Sequence, residues 1–332
     1  MTNLISRRAV VAGSLGFGAS ALIASPALIA SPALAQAKQR ITIVTGGTGG
    51  VFYPYGGGLA KILTEKVPNM QATAQVTGGS VDNCKLVAAG DADIGFSTLD
   101  SAYDAMTGTG AYAKDGKLDV RIFAVLYDSF LHVIGAQGQA TTVASLKGKR
   151  VSVGSAGSST ESIADRVLEA AGLNPKTDIT RDNLGVAESA GALKDGKVAA
   201  FFWIGGVPTA AVRDLATSGQ PALQFIPTGE ELAKMERQFP GLYRSFNLPA
   251  ASYAGQPAAV AGLGVANVLV VSAKAKNEQI TTALNGIFNN LDEVQKIHPE
   301  ARRLTIQGAA GKSAVPFHPA SEAFFKSKGV AL

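Results

Sequence analysis

Residues 41–63 read ITIVTGGTGGVFYPYGGGLAKIL, a short β-type run that breaks into glycines and restarts with helical periodicity. Ile41, Ile43 and Val44 predict a buried strand. Gly46, Gly47, Gly49 and Gly50 follow at once, and such a turn lets backbone N–H groups approach a ligand or converge as an anion-accepting nest. Pro54 suits the first turn of a helix, where its missing N–H is harmless. Gly56, Gly57 and Gly58 each cost about 1 kcal/mol relative to alanine inside that helix, so close approach of another group is expected there. A tight strand-to-helix connection would account for this stretch alone. Its recurrence down the chain is what constrains the fold.

Residues 71–76 alternate as a second strand, Thr77-Gly78-Gly79 breaks it, and Ser80 reads as the N-cap of a helix ending near Gly90. Residues 93–96 form a third strand, with Ser97 and Thr98 opening a helix. The segment GTGAYAKDGK reads as a surface loop. Residues 120–127 and 131–136 are apolar runs too close together for an intervening helix, so one long strand passing between two lobes is expected. The pattern then repeats: a strand at 150–153, the turn Gly154-Ser155-Ala156-Gly157, and Ser158 with Glu161 as a capping box. Ile163, Val167, Leu168 and Ala171 form one apolar face of the helix so capped. A helix at 186–194, a strand at 198–204 broken by Gly205-Gly206, a helix starting at Pro208 and a strand at 223–226 come next. Thr228 and Glu231 cap a further helix. Residues 239–262 lack periodicity and read as a connector, followed by a strong strand at 265–271 and one long helix over 277–297. Strands alternating with helices predict an α/β chain with a mostly parallel sheet.

The first residues read as an address. Arg7 and Arg8 precede an uncharged apolar stretch, and Ala33-Leu34-Ala35 offers small residues for cleavage, so residues 1–35 are expected to be a signal peptide, with SRRAV resembling a twin-arginine motif. No later stretch is long and apolar enough to span a membrane, and stable insertion of the mature chain is not expected. The net charge of +5 is spread, and no basic and aromatic stripe favours nucleic acid. Cys84 is the only cysteine, which excludes an intrachain disulfide or a cysteine metal cluster. Its helical spacing with Val81 and Ala88 predicts a small buried residue.

In parallel sheets, ligands sit beyond the carboxyl ends of the strands. Those ends read TGGTGG, TGGS, STLD, GSAGSST and WIGG: polar loops feeding helix N-termini, whose partial positive charge favours an anion such as a carboxylate. Catalytic signatures fail. GAAGKS at 308–313 has Ile306 where a phosphate loop needs glycine, Phe52 replaces the last glycine of a dinucleotide fingerprint, and no GxSxG occurs. His132, His298 and His318 make no HExxH pair; the last two precede prolines in expected helix-entry turns. No metal, cofactor or enzymatic activity is expected.

TGGTGGVFYPYGGGLA, AQVTGGSVDN, SLKGKRVSVGSAGSSTE, AASYAGQPA and FHPASEAFFKSKG together resemble the TAXI family of TRAP-transporter solute receptors over essentially the whole mature chain. The resemblance implies a type II periplasmic binding-protein fold, with two α/β lobes joined by two crossover segments and a ligand cleft between them. It implies a periplasmic receptor that binds glutamate, glutamine or another small organic acid and delivers it to integral TRAP permease subunits. Two departures concern Ala251, where the family usually has glycine, and Ala320, which follows His318-Pro319 in place of glycine. The lobes are expected at 38–130 with 265–332, and at 131–264. Backbone groups at Thr48, Gly49, Gly79 and Gly157 and the hydroxyls of Ser80, Ser155, Ser158 and Ser159 are expected to receive the carboxylate. Tyr53, Asn83 and Asp100 would orient the remainder, and Trp203 would cover the ligand. An ABC importer receptor and an exported enzyme are the alternatives.

Overall fold

The computed structural model describes residues 38–332; the expected signal peptide lies outside them. The chain begins with β1 (Gln39–Val44), α1 (Phe52–Lys66), β2 (Met70–Gln75), α2 (Ser80–Ala89), β3 (Ile94–Thr98) and α3 (Leu99–Thr107). Next come β4 (Val120–Ala136), β5 (Arg150–Ser152), α4 (Ser159–Ala170), β6 (Thr180–Asp182), α5 (Val186–Lys194) and β7 (Ala200–Gly205). After α6 (Ala210–Ser218), β8 (Leu223–Phe225), α7 (Gly229–Gln238) and the short β9 (Arg244–Ser245), the chain returns through β10 (Leu263–Ser272), α8 (Asn277–Phe288) and α9 (Leu291–Val294).

The described strands form one ten-stranded sheet in the order β2-β1-β3-β10-β4-β7-β5-β6, with β8 on β4 and β9 on β10. β2, β1 and β3 are parallel to one another, as are β6, β5 and β7. Each half therefore follows one plan. A parallel trio in the order second, first, third is followed by a long antiparallel strand, β10 in one half and β4 in the other. β4 belongs to both halves: its Val120–Phe130 stretch pairs with β10, and its Phe130–Gly135 stretch pairs with β7. Its apolar run is buried almost throughout because the sheet is covered on both faces. β10 is likewise buried along nearly its whole length.

Several local expectations are corrected. Ser80 is the first helical residue of α2, and Gly79, at φ +132°, holds the cap position. Ser158 caps α4 by accepting from the Glu161 amide, but the Glu161 carboxylate turns to Arg181 and Asn183 rather than back to the cap. Thr228 stands before α7 with its hydroxyl accepting from Leu263, so it ties α7 to β10 instead of capping. Pro208 precedes α6 by two residues, and Thr209 is the cap. The helix expected over 277–297 stops at Phe288 and resumes at Leu291; the Asn290 side chain donates to the Gly286 carbonyl at the break. Tyr112, within the expected surface loop, is fully buried, its hydroxyl 2.8 Å from that of Ser101. β6 had no periodic signal in its three residues. His298 and His318 do open helices, each ring Nδ1 accepting from the amide two residues on.

The helical glycines answer to packing. A Cβ on Gly56 would lie 2.5 Å from the Thr45 side chain, and one on Gly58 would lie 2.5 Å from Ile297. Close approach is real at both positions, and protein groups make it.

Candidate functional site

The loops after β1, β2, β5 and β6, with the end of β7, enclose a cavity of about 390 Å³, within the size range of small-molecule sites. Four helices start at its wall: Phe52 of α1, Ser80 of α2, Ser159 of α4 and Val186 of α5 are each the first helical residue and each line it. The positive ends of four helix dipoles thus face one space. Phe52, Tyr127, Trp203 and Ile204 supply apolar wall, and among the described residues no lysine, arginine or histidine contributes to the lining. Glu188 is the one acidic side chain there among the described residues.

Contacts between the halves close the cavity. The amides of Val81 and Asp82 donate to the Gly157 carbonyl at 3.1 and 3.2 Å, Ser155 Oγ donates to the Gly78 carbonyl at 2.9 Å, and Ser80 Oγ donates to Ser159 Oγ at 3.1 Å. On another side the Trp203 ring lies against Gly50, where a Cβ would be 2.9 Å from the indole.

Of the residues expected at the site, Gly79, Ser80, Ser155, Ser158, Ser159 and Trp203 meet at this cavity. The hydroxyls of Ser155 and Ser158 are already engaged, the latter donating to the Ser155 carbonyl at 2.6 Å. Thr48, Gly49, Tyr53, Asn83, Asp100 and Gly157 do not line it. Thr48 and Gly49 sit on a separate depression against α5 and α6. Tyr53 points outward as an exposed aromatic. Asn83 is fully buried, its amide donating to the carbonyls of Thr45 and Phe96 at 2.6 and 2.7 Å. Asp100 is fully buried against Arg166 and the Tyr243 hydroxyl. Gly157 faces Asp82.

Tyr127 was not foreseen. It lies at the cavity wall in the middle of β4, 4% exposed, and its hydroxyl has no hydrogen-bond partner among the described residues. Burial, with the nearby Glu300 charge, holds that hydroxyl well above its ordinary pKa, so it remains a donor. Its sequence context, an apolar run crossing between halves, marks a strand and nothing more. Asn183, Leu184 and Gly185 were missed because they follow the unrecognised β6.

Three solved structures are similar to this chain. One from Bordetella bronchiseptica RB50 is 19% identical, with 80% of this chain and 77% of that chain covered and a TM-score of 0.52. A putative L-cystine ABC transporter protein from Listeria monocytogenes is 15% identical, covering 78% and 94% with a TM-score of 0.48. The periplasmic aliphatic sulphonate binding protein SsuA from Escherichia coli is 17% identical, covering 88% and 80% with a TM-score of 0.44. At such identities the likeness concerns the fold, a mixed α/β periplasmic binding-protein fold. The NMT1-like family matches residues 43–329, from within β1 to just past the last helix, Pro319–Ser327, and the chain belongs to that family.

Proposed function

We propose that this chain is a periplasmic solute receptor that binds a small carboxylate-bearing solute in the enclosed cavity and delivers it to a membrane permease. The convergence of four helix N-termini on one cavity carries this reading, because an anion is stabilised there without a basic side chain. Tyr127 adds its side chain to the wall of that cavity. The first amides of α4 and the Ser159 hydroxyl, which accepts from Ser80 and keeps its own proton to donate, add polar contacts, and Trp203 covers the remainder. The apolar wall suits the carbon skeleton of an organic acid such as glutamate or glutamine.

The two halves of the sheet act as lobes, residues 38–130 with 265–332 and residues 131–264. β4 and the segment between α7 and β10 are the links on which they open. The motif resemblance favours a cation-driven TRAP permease. An ABC importer is the second reading, and the Listeria structure carries that name. Uptake in vesicles with the neighbouring permease separates the two, through dependence on an ion gradient or on ATP. Native mass spectrometry of gently purified protein tests the receptor itself: a co-purified small acid is expected. A protein that retains no small molecule, and binds no carboxylate by calorimetry, rejects the reading.

A further inference from the structure

The connector between α7 and β10 contains the AASYAGQPA stretch, which cavity lining leaves unexplained. It is held as a compact turn whose Tyr253 and Gln256 side chains are buried while its other residues face outward. The Gln256 side-chain amide donates to the carbonyls of Pro249 and Ala258 at 2.9 and 2.8 Å, and its Oε1 accepts from the Tyr253 amide. Tyr253 is thereby placed flat on Phe225, with ring centroids 5.5 Å apart and planes 11° from parallel.

The hydroxyl of Tyr253 stands in a chain whose proton positions are fixed by its ends. His132 Nδ1 lies 3.0 Å from the Phe130 carbonyl and 3.3 Å from the Trp203 carbonyl, both pure acceptors, so Nδ1 carries the proton. Nε2 then accepts, and Tyr253 donates to it at 2.9 Å. The same hydroxyl accepts from the Thr209 amide at 2.9 Å. Thr209 Oγ1 donates to the Gly206 carbonyl at 2.7 Å and accepts from Trp203 Nε1 at 2.9 Å. His132, Tyr253 and Thr209 are buried, and the side-chain polar atoms of all three have partners among the described residues. Its open end is the indole, which lines the cavity and crosses to Gly50 of the other half. A Cβ on Gly205 would lie 2.3 Å from the indole nitrogen, so the ring takes this position only because residue 205 has no side chain.

We propose that Tyr253 is a positioning residue of the ligand cavity: through Thr209, and braced by His132, it fixes the Trp203 indole as the wall that meets the opposite half. The proposal rests on the cavity being the solute site, but its test needs no solute. Trp203 is the only tryptophan, so intrinsic fluorescence reports this ring alone. Tyr253→Phe and Thr209→Val, each confirmed as folded by circular dichroism, are expected at least to double the quenching of Trp203 by acrylamide and to shift its emission maximum. Thr209→Ser, which keeps the hydroxyl, is expected to retain the parent spectrum. A folded Tyr253→Phe protein with parent quenching overturns the proposal. If that variant does not fold, unchanged quenching in Thr209→Val overturns it equally. A solute screen without any binder would reject the receptor reading and leave the indole result standing.

Discussion

Ser155 donates its hydroxyl hydrogen to the carbonyl of Gly78 at 2.9 Å, although the two residues follow strands in opposite halves of the sheet. The bond is one of a set that includes both Gly157 contacts and the Ser80 to Ser159 pair. Loops that read as ligand-gripping backbone are thus partly engaged in gripping each other. Closure and binding share the same groups, so substitutions at the rim should alter affinity without touching the solute.

Gly157 shows this most sharply. It sits at φ +76°, and a Cβ there would lie 2.3 Å from Asp82 Oδ1. Gly157→Val should therefore hold the rim open and weaken solute binding well over tenfold, about 1.4 kcal/mol or more. The effect should appear in small-angle scattering as a larger radius of gyration in the presence of solute. Gly49→Val should act in the same direction more weakly, since its Cβ would stand 3.1 Å from Ala187. Parent affinity in Gly157→Val would show that the rim contacts are incidental to binding.

A solute that fills the cavity contacts both halves and so binds the closed form preferentially. At a hundredfold excess over its dissociation constant it should add about 2.7 kcal/mol to stability. For a chain of this size that corresponds to a rise in melting temperature of a few degrees. A thermal-shift screen should give few hits, concentrated among carboxylates. Hits spread evenly over sugars, amines and acids would contradict anion selection by the helix termini.

The repeated strand, glycine loop and helix made the architecture legible, because buried strands and apolar helix faces leave strong periodic signals. The long β4 was readable from two apolar runs without room between them, and β10 from an apolar stretch interrupted only by Asn267. The three residues of β6 gave no such signal, and the break before Leu291 depends on a side-chain bond that periodicity does not encode. At the site, glycine and serine loops located the cavity but did not reveal which groups were already engaged. Asn83 and Asp100 looked like ligand contacts because polar residues at a helix start usually face outward. The fold instead buries both, one under strand carbonyls and the other against Arg166. Ala251, where glycine was expected, sits at φ 60°, so the conformation that favours glycine persists under an alanine side chain.

Arg166 reaches from α4 to Asp100 and Asp104 of α3, with only 10% of its side chain exposed, and stacks its guanidinium 4.1 Å from the Phe239 ring centroid. Removing the cation leaves two carboxylates buried without it. Arg166→Met should lower stability by about 3–5 kcal/mol in urea unfolding. Adding Asp100→Asn and Asp104→Asn should recover part of that loss, since neutral amides need no counter-charge. A loss under about 1 kcal/mol in Arg166→Met would mean that water reaches the acids and the burial argument fails.

His132 provides a pH test. Full burial pushes its pKa from an ordinary 6.5 down to about 4, against the two carbonyls that favour its charged form. Above about pH 6.5 neither the native nor the unfolded chain protonates it, and its neutral Nε2 accepts from Tyr253. Between 6.5 and about 4 the unfolded chain binds the proton and the native chain does not. Stability should therefore fall by about 1.4 kcal/mol per pH unit, roughly 3 kcal/mol across the window, and level off below it. Glu300 acts the other way. Burial raises its pKa, so the native state keeps that proton to higher pH and gains stability as pH falls. The sum could hide either contribution. Comparing parent and His132→Asn at each pH cancels Glu300. The parent's advantage over the variant should shrink by roughly 3 kcal/mol from neutral pH to about pH 4. A difference that stays constant over that range would show that His132 takes up its proton equally in both states, and that burial does not hold it neutral below its ordinary pKa.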